Sequence, residues 1–587
     1  MELSVTGASH SRKIGFRLEG FPAGVKIDEE VLRRFMERRA PGRDAFSTSR
    51  KEPDVVVFTR GVANGATDGS AVEGEIANTD FRPGDYGEER TVPRPGHADF
   101  PQWVRFGRIP TGGGSNSGRM TAALCAAGWL CLEYLAAKGV EVAAKVVSVG
   151  GAEGNSDEEI LAAKSEGDSV GGVIECEISG LKPGLGGSLF AGVESALSAA
   201  VFAIPGVKGI EFGNGFAAAR LRGSQNNDAF SVEGGKVVTE TNRHGGILGG
   251  RTSSMPIVFR VAMKPTPTIF KPQQSVDLAK MEKAACESKG RHDPCIARRA
   301  VPAVEAMAAY AIAGIVRDDE IMHPRICLVL TGRTLAEDVA MYEAERYFTD
   351  IVELRADFLS PEEREKAASF PGMVDAPAIL TFRRRRDGGE FDGGEDERRE
   401  FFRRTLAASP RFAYVDFESD FRDAELSAAA EKAGAKVVRS LHDFSGAPAD
   451  FKAALTELRG DGETPKIAFM PKSPDDVARL FREAETFGDF PRIICAMGEK
   501  GLATRVLAGR LGSILTYAST GALASLGHFS PRALVRDWRV RTTGPATRVV
   551  EAASVEEAIR LNADFSVQEE DAVAIHGTAS GNVNTGK

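Results

Sequence analysis

The sequence lacks most of the features that mark secreted, zinc-bound, membrane-spanning or nucleic-acid-coating proteins. Its seven cysteines (Cys125, Cys131, Cys176, Cys286, Cys295, Cys327 and Cys495) include no CxxC pair and no spacing typical of zinc, and their number is odd. They read as reduced thiols packed as small hydrophobes in a cytoplasmic protein, and no metal site is expected. No apolar run approaches the roughly 20 residues that a membrane span needs, and no export signal is recognisable. Positive charge is not in excess: 74 Lys and Arg face 83 Asp and Glu, a formal net charge of −9. That balance excludes a general nucleic-acid binder while leaving local arginine clusters free to collect small anions. The expected partners are small acidic metabolites, with no nucleic acid and no membrane.

What is present is ordinary soluble-protein composition, 42% hydrophobic and 27% charged, in a chain of 587 residues. That length exceeds one hydrophobic core, so at least two domains are expected. Up to about residue 315 the chain is glycine-rich. It mixes short strand-like runs (VVVFTRG, KVVSVGG, VIECEISG) with alanine-rich helical stretches, Met120 to Lys138 and Leu185 to Ala203. This is an α+β or layered α/β pattern without regular βα alternation. RDDEIMHP, from Arg317 to Pro324, carries charge and a proline and marks a boundary. Beyond it come eight short apolar runs, RICLVLTG, IVELRADFL, AILTFR, FAYVDFE, KVVRSLHDF, KIAFMP, RIICAMG and GSILTYAS, most of them separated by helical patterns. Eight strands alternating with helices over about 200 residues predict a (β/α)8 barrel. The domains are therefore set at 1–320, 322–530 and a tail of unassigned role, 531–587.

In such a barrel the chemistry sits at the C-terminal strand ends, where residues two apart face the same way. Those ends offer Glu353 and Arg355, Thr381 and Arg383, Asp416 and Glu418, and Ser440 and His442, with Lys466 on the sixth strand. A lysine entering an apolar barrel loses proton affinity. A drop of about three units corresponds to about 4 kcal/mol and leaves an amine nucleophilic toward carbonyls. A Schiff base lysine beside a histidine removes a proton next to a carbonyl, which suits an aldolase or a dehydratase. The wording ELRADF, TFRRRRDGGE, VDFE, SLHDF, PKIAFMP and AMGEKGLATR resembles type I 3-dehydroquinate dehydratase over about residues 322 to 530. The resemblance implies Lys466 as Schiff base former and His442 as base and acid. It also implies that Glu353, Arg355, Arg383 and Arg505 hold the hydroxyls and carboxylate of 3-dehydroquinate, with no cofactor for the barrel. Asp387 replaces the family's usual glutamate near the histidine, and His528 replaces the glutamine of an APGQ turn. Arg384 to Arg386 and EDERREFFRR read as a solvated, mobile charge run. GPATRV resembles the junction joining some dehydratases to a shikimate dehydrogenase, but no GxGxxG follows it.

In the first half, RPGHAD (Arg94 to Asp99) places a histidine between an arginine and a carboxylate on a loop bent by Pro95 and Gly96. Around it lie GASHSRKIGFRLEGFPAG, TGGGSNSGRMTAALCAAG, NRHGGILGG and RHDPCIARRAVPAVEAM, an order that resembles chorismate synthase over about residues 1 to 320. The resemblance implies a layered β-α-β sandwich that assembles as a tetramer. It implies elimination of phosphate from 5-enolpyruvylshikimate 3-phosphate, dependent on reduced FMN. His10 then lies near the leaving phosphate, His97 near the flavin, and Asp293 near flavin N5, where the substrate proton is accepted through the flavin. Arg39, Arg43, Arg50, Arg119 and Arg291 become the substrate arginines. Ser117, Arg119, Gly245, Gly246, Lys271 and Ser275 become the FMN residues, because glycines admit close backbone approach and a lysine four residues from a hydroxyl suits a phosphate. GASHS stands for GESHG, SGRMT for SARET, and Ser275 for threonine, and each keeps the polar atom needed.

The leading expectation is a bifunctional lyase of the shikimate pathway in the cytoplasm, supplied with reduced flavin from an external source. The alternative, from another class, is a monofunctional chorismate synthase carrying an inactive barrel used for binding or assembly. A Schiff base aldolase is disfavoured, because Glu353, Arg355 and Arg505 suit a polyhydroxy acid better than an aldehyde.

Overall fold

A computed structural model describes residues 1–42, 52–79, 90–110, 112–154, 156–287, 293–409, 411–460, 462–488, 490–521, 529–544, 547–568 and 572–576. The chain divides into two compact units, Met1–Asp319 and Glu320–Lys587.

The first unit is built on two antiparallel sheets. One has four strands in the order Glu2–Gly7, Lys13–Glu19, Val72–Ala77, Val56–Arg60. The other has five, in the order Val207–Phe212, Ile257–Met263, Gly172–Ser179, Glu141–Val149, Ala152–Glu153. The helices Thr121–Ala136 and Ala297–Met322 lie in the shared apolar core, which takes Phe16, Leu18, Val72 and Ile76 from the first sheet and Ile174, Phe259 and Val261 from the second. The helices touch at Gly128, where an added Cβ would come within 2.4 Å of Ala306 Cβ. Only a residue without a side chain permits that backbone approach. The helix expected over Leu185 to Ala203 is shorter, Val193–Phe202, because Gly184, Gly186, Gly187 and Gly192 hold the preceding segment in turns.

One expectation needs correction. The helix Ala297–Ile321 is long and apolar enough by length and composition to cross a membrane. Its apolar side chains, from Ala297 through Val304 to Val316, are instead buried in the core of the first unit, so a satisfied core helix accounts for its composition.

The second unit contains all eight expected barrel strands, every neighbouring pair parallel: Arg325–Leu330, Ile351–Arg355, Ala378–Thr381, Tyr414–Glu418, Lys436–Asp443, Thr464–Phe469, Ile493–Ala496 and Leu515–Ala518. Strands 7 and 8 meet through a single bridge, Arg492 to Ser513, with Ile494 N donating to Ser513 Oγ at 3.1 Å, so the barrel is nearly closed. Strands buried on both faces read as the continuous apolar runs seen in the sequence. After the last barrel helix (Pro531–Arg536), strands Arg548–Ala552 and Ala572–His576 pair in parallel around helix Val555–Gln568. Trp538, Val549, Ala558 and Val573 of this segment share one apolar cluster with Leu502, Val506 and Leu511 of the barrel helices. Asn562, fully buried, fastens it: its amide donates to Asp537 O (2.8 Å) and Ala574 O (3.0 Å) and accepts from Ala574 N (2.6 Å).

Candidate active sites

In the first unit, a cavity of about 680 Å³ collects residues far apart in sequence, including His10, Arg39, Arg94, His97, Ser117, Arg119, Lys208, Lys264, Asp293 and Arg299. Each of the four arginines comes with a defined counter-ion. Arg39 and Arg119, both buried, pair with the two oxygens of Asp54, whose backbone is held at φ 50°. Burial alone would raise the Asp54 carboxyl, but the two guanidinium groups outweigh it and hold it below its ordinary value. Arg119 also donates to Asn78 Oδ1 at 2.7 Å, and Arg39 to Thr121 Oγ1 at 3.0 Å. Arg299 holds Asp293 at 2.5 Å. Arg94 grips Asp99 through two bonds of 2.8 Å, one to each oxygen. Six cations (Arg39, Arg94, Arg119, Lys208, Lys264, Arg299) thus face three carboxylates (Asp54, Asp99, Asp293), leaving a cationic chamber suited to a multiply charged anion.

His10 is positioned by Gly112, which sits at φ +67° with its missing Cβ 2.5 Å from His10 Nε2. Any side chain there would displace the imidazole. Thr266 Oγ1 is buried in the same wall with no hydrogen-bond partner among the described residues, and Lys264, Thr266 and Thr268 line the cavity together.

The expected residues are therefore only partly assembled. His10, His97, Arg39, Ser117, Arg119 and Asp293 line this cavity. Gly245 and Gly246 lie outside its lining, and their positive φ and tight backbone packing against Gly213 and Pro256 account for glycine there. Lys271 is half-buried and pairs with Glu166 (3.1 Å) and Asp168 (2.8 Å), while Ser275 Oγ donates to Pro93 O at 2.5 Å. Arg43, Arg50 and Arg291 fall outside the described residues. Sequence reasoning passed over Lys208, Arg299, Asp54 and the Lys264–Thr268 pair. The last has the same four-residue spacing that singled out Lys271 and Ser275.

In the second unit, strands 2 to 6 deliver Glu353, Thr381, Arg383, Asp416, Glu418, Ser440, His442 and Lys466 to one cluster inside the barrel. Register explains the meeting, since Thr381 lies beside Asp416 and Ser440 beside Lys466. Lys466 Nζ is 2.9 Å from Asp416 Oδ2 and 3.8 Å from Glu353 Oε1, and 4.5 Å above the centre of the Tyr517 ring. The apolar surroundings expected for this lysine are thus corrected: it is buried but balanced by carboxylates, because four neighbouring strands each end in a polar side chain. Arg383 bonds Asp416 (2.8 Å), Ser440 Oγ (3.2 Å) and His442 Nδ1 (3.1 Å). Since a guanidinium only donates, His442 Nδ1 accepts and the ring proton is on Nε2. Burial, reinforced by the charges of Arg383 and Lys466, holds His442 well below the ordinary histidine range, so the ring is neutral at pH 7. Asp416 is held well below the carboxylate range, since Arg383 and Lys466 overcome its burial.

Arg355 is committed to Asp357 through two bonds of 2.9 and 2.7 Å, and Arg505 is buried with Nη1 donating to Ala496 O at 2.9 Å, at the end of strand 7. Asp387 pairs with Arg384 at 2.7 Å, not with His442. Arg384 corrects the expected solvated charge run. It is buried, linking Asp387, Glu395 and Asp420, whereas Arg385 and Arg386 are exposed as expected. His528 lies outside the described residues.

Two family models match the chain. Residues 1–316 match the chorismate synthase family, and residues 326–543 match type I 3-dehydroquinase. Chorismate synthase of Thermococcus kodakarensis is 41% identical over 337 residues, covering 53% of this chain and 95% of its own. That of Archaeoglobus fulgidus is 42% identical over 340 residues, covering 53% and 94%. A crystal structure of chorismate synthase is similar over 54% of this chain and 91% of its own, at 25% identity and a TM-score of 0.42. The 3-dehydroquinate dehydratase from Geobacillus kaustophilus is similar over 37% and 89%, at 29% identity and a TM-score of 0.33. The chain belongs to the chorismate synthase family and carries, after that domain, a type I 3-dehydroquinase domain, so that two lyases of the shikimate pathway share one polypeptide.

Proposed function

We propose that both domains are working enzymes, bounded at 1–320 and 322–530, with residues 531–587 completing the second unit. For the first, the carrying observation is the cationic chamber around His10 and His97. Its charge suits the phosphate and two carboxylates of 5-enolpyruvylshikimate 3-phosphate. His10 protonates the departing phosphate, and Arg39 and Arg119, fixed by Asp54, hold substrate oxygens. The residues also fit reduced FMN: unpartnered Thr266 Oγ1, with Lys264 and Thr268, offers a place for its phosphate, and Ser117 and His97 lie in the same wall. When bound, reduced FMN supplies an electron-rich ring to a reaction that has no net redox change. The reductant is external, and chorismate formation from oxidised FMN and NADPH alone would contradict this.

For the barrel, the carrying observation is Lys466 and His442 joined through Arg383 and Asp416 in one buried cluster. Lys466 Nζ attacks the ketone of 3-dehydroquinate and water leaves to give the iminium. His442 Nδ1, released from Arg383 when substrate binds, then takes the proton next to the iminium and later gives a proton to the departing hydroxyl, and water hydrolyses the product iminium to free Lys466. Glu353 and Arg383 bind hydroxyls, and Arg505 the carboxylate. No cofactor is needed.

Borohydride treatment with and without 3-dehydroquinate tests this reading. Loss of turnover only when both are present, with added mass on Lys466, supports it. No turnover and no adduct would leave a chorismate synthase with a binding or assembly module, the reading that the Asp387–Arg384 pairing favours. We also infer a homo-oligomer formed through the first unit. Leu189, Phe190 and Phe216 are 84%, 97% and 84% exposed there, a cost that burial against another copy would remove. The cytoplasm suits its seven free thiols, all buried.

A further inference from the structure

The loop Arg94 to Asp99 holds more than a histidine. His97 Nδ1 is 3.1 Å from Asp99 Oδ1 and 3.3 Å from Arg94 Nη2. These contacts demand opposite protonation states, since a guanidinium can only donate and an ionised carboxylate can only accept. A proton count decides between them. Arg94 Nη2 has two hydrogens; one goes to Asp99 Oδ1 at 2.8 Å and the other to Gly112 O. None remains for the imidazole. Nδ1 therefore carries the ring proton and gives it to Asp99, and Nε2, which has no partner among the described residues, is an open lone pair in the cavity wall.

Asp99 is built to stay ionised in this role. It is 2% exposed, and burial would raise its carboxyl, yet the hydrogen bonds from Arg94 and His97 hold it well below the carboxylate range. Its other oxygen takes Arg94 Nε at 2.8 Å and the Arg94 backbone N at 3.0 Å, so every lone pair facing the loop is used. The other charged or titratable groups near His97 are Lys264, whose Nζ donates to Gly96 O at 2.5 Å, and His10, packed against Gly112.

We propose that Asp99 and Arg94 are positioning residues that lock His97 as the Nδ1–H tautomer, so that Nε2 accepts a proton from, and returns it to, whatever occupies the chamber. A proton gained at Nε2 strengthens the Nδ1–H bond to the carboxylate, and its loss restores the starting state. The same clamp ties this loop to the glycine loop at Gly112 that seats His10, so one guanidinium sets the distance between the two histidines. The functional half of the inference rests on the cavity being the elimination site. The tautomer does not.

The test uses the full chain labelled with ¹⁵N-histidine, with the His97 signals assigned by comparison with His97→Gln. Two-bond ¹H–¹⁵N couplings in the neutral ring should show a protonated Nδ1; a protonated Nε2 would overturn the inference. Asp99→Asn should flip His97 to Nε2–H and lower kcat for chorismate formation about 100-fold. KM should stay within a few-fold, and Asp99→Glu should recover part of the rate. 3-Dehydroquinate turnover and thermal unfolding of the same samples report folding. Loss of kcat with the tautomer unchanged would make Asp99 merely structural and overturn the proposal. Nδ1–H in a wild-type chain that makes no chorismate with reduced FMN would leave the assignment standing and refute the elimination reading instead.

Discussion

Asp338, on the helix that follows barrel strand 1, carries a buried charge whose cost depends on pH. The residue is 0% exposed, its Oδ1 accepts Gly332 N at 2.7 Å, and its Oδ2 has no partner among the described residues. Burial, with a smaller contribution from Glu337, pushes its carboxyl up to about 7. In the unfolded chain the group ionises near 3.9. Because the folded value is raised, the neutral form is the one favoured by folding. The contribution to stability is full below about pH 4, declines as pH rises through 7, and is gone above it. The difference of about three units amounts to about 4 kcal/mol at most. Asp338→Asn keeps the acceptor for Gly332 N and cannot ionise. Calorimetric melting of wild type and variant at pH 5, 6, 7 and 8 should show the variant ahead by about 1.5 kcal/mol at pH 5, rising to about 4 kcal/mol at pH 8. At about 2 to 3 °C per kcal/mol for a unit of this size, the gain is of order 10 °C in the transition of the second unit. An offset that does not change with pH, or a variant less stable at pH 8, would refute the reasoning.

Depression of His442 by burial and by Arg383 and Lys466 keeps its neutral form present to acid pH, so the acid limb of dehydratase kcat should lie well below pH 6.5; a limb centred at or above 6.5 would count against it. Lys264→Ala should weaken FMN binding about 10- to 100-fold in a fluorescence titration, the value of a charge-assisted bond to phosphate, whereas Lys271→Ala, outside the cavity, should leave it near wild type. Lys466→Met should abolish 3-dehydroquinate turnover and spare chorismate formation. Asn562→Ala leaves three buried backbone bonds unmade and should cost about 1 to 3 kcal/mol in denaturant unfolding of the second unit; an unchanged midpoint would mean the terminal segment is not fastened by it.

The barrel was legible because its signals are local. Each strand is a short apolar run, and residues two apart on it share a face, so the polar ends named from sequence are the ones that meet. The layered first unit was legible only through the order of its motifs. Its two sheets pair strands distant in sequence, such as Lys13–Glu19 with Val72–Ala77, and no periodicity reports such a pairing. RPGHAD carried most of its own geometry, since Arg94 and Asp99 clamp His97 from within the motif and only Gly112 O comes from elsewhere in the chain.

What sequence concealed was charge compensation, and it decides what the cationic residues can do. The sequence presents Arg39 as a substrate arginine, Arg119 as a substrate and FMN arginine, and Lys466 as a lysine in an apolar barrel, all without counter-ions. Asp54 meets the first two from 15 and 65 positions away, and Asp416 meets Lys466 from 50. A motif shows a cation but not its counter-ion, because an ion pair needs only proximity in space. The consequence is chemical. Arg39 and Arg119, with Nε and both terminal nitrogens already bonded to protein, are fixed walls of the cavity rather than mobile clamps. Lys208 and Lys264, which sequence reasoning passed over, face the chamber without a carboxylate ion pair among the described residues. The net positive charge available to an incoming anion is therefore concentrated on the side of the cavity formed by Lys208 and Lys264. That is where a phosphate gains most, and it is why the lysine pair with its unpartnered threonine, rather than the arginines of the family motifs, is the part of this site whose removal should be felt first in binding.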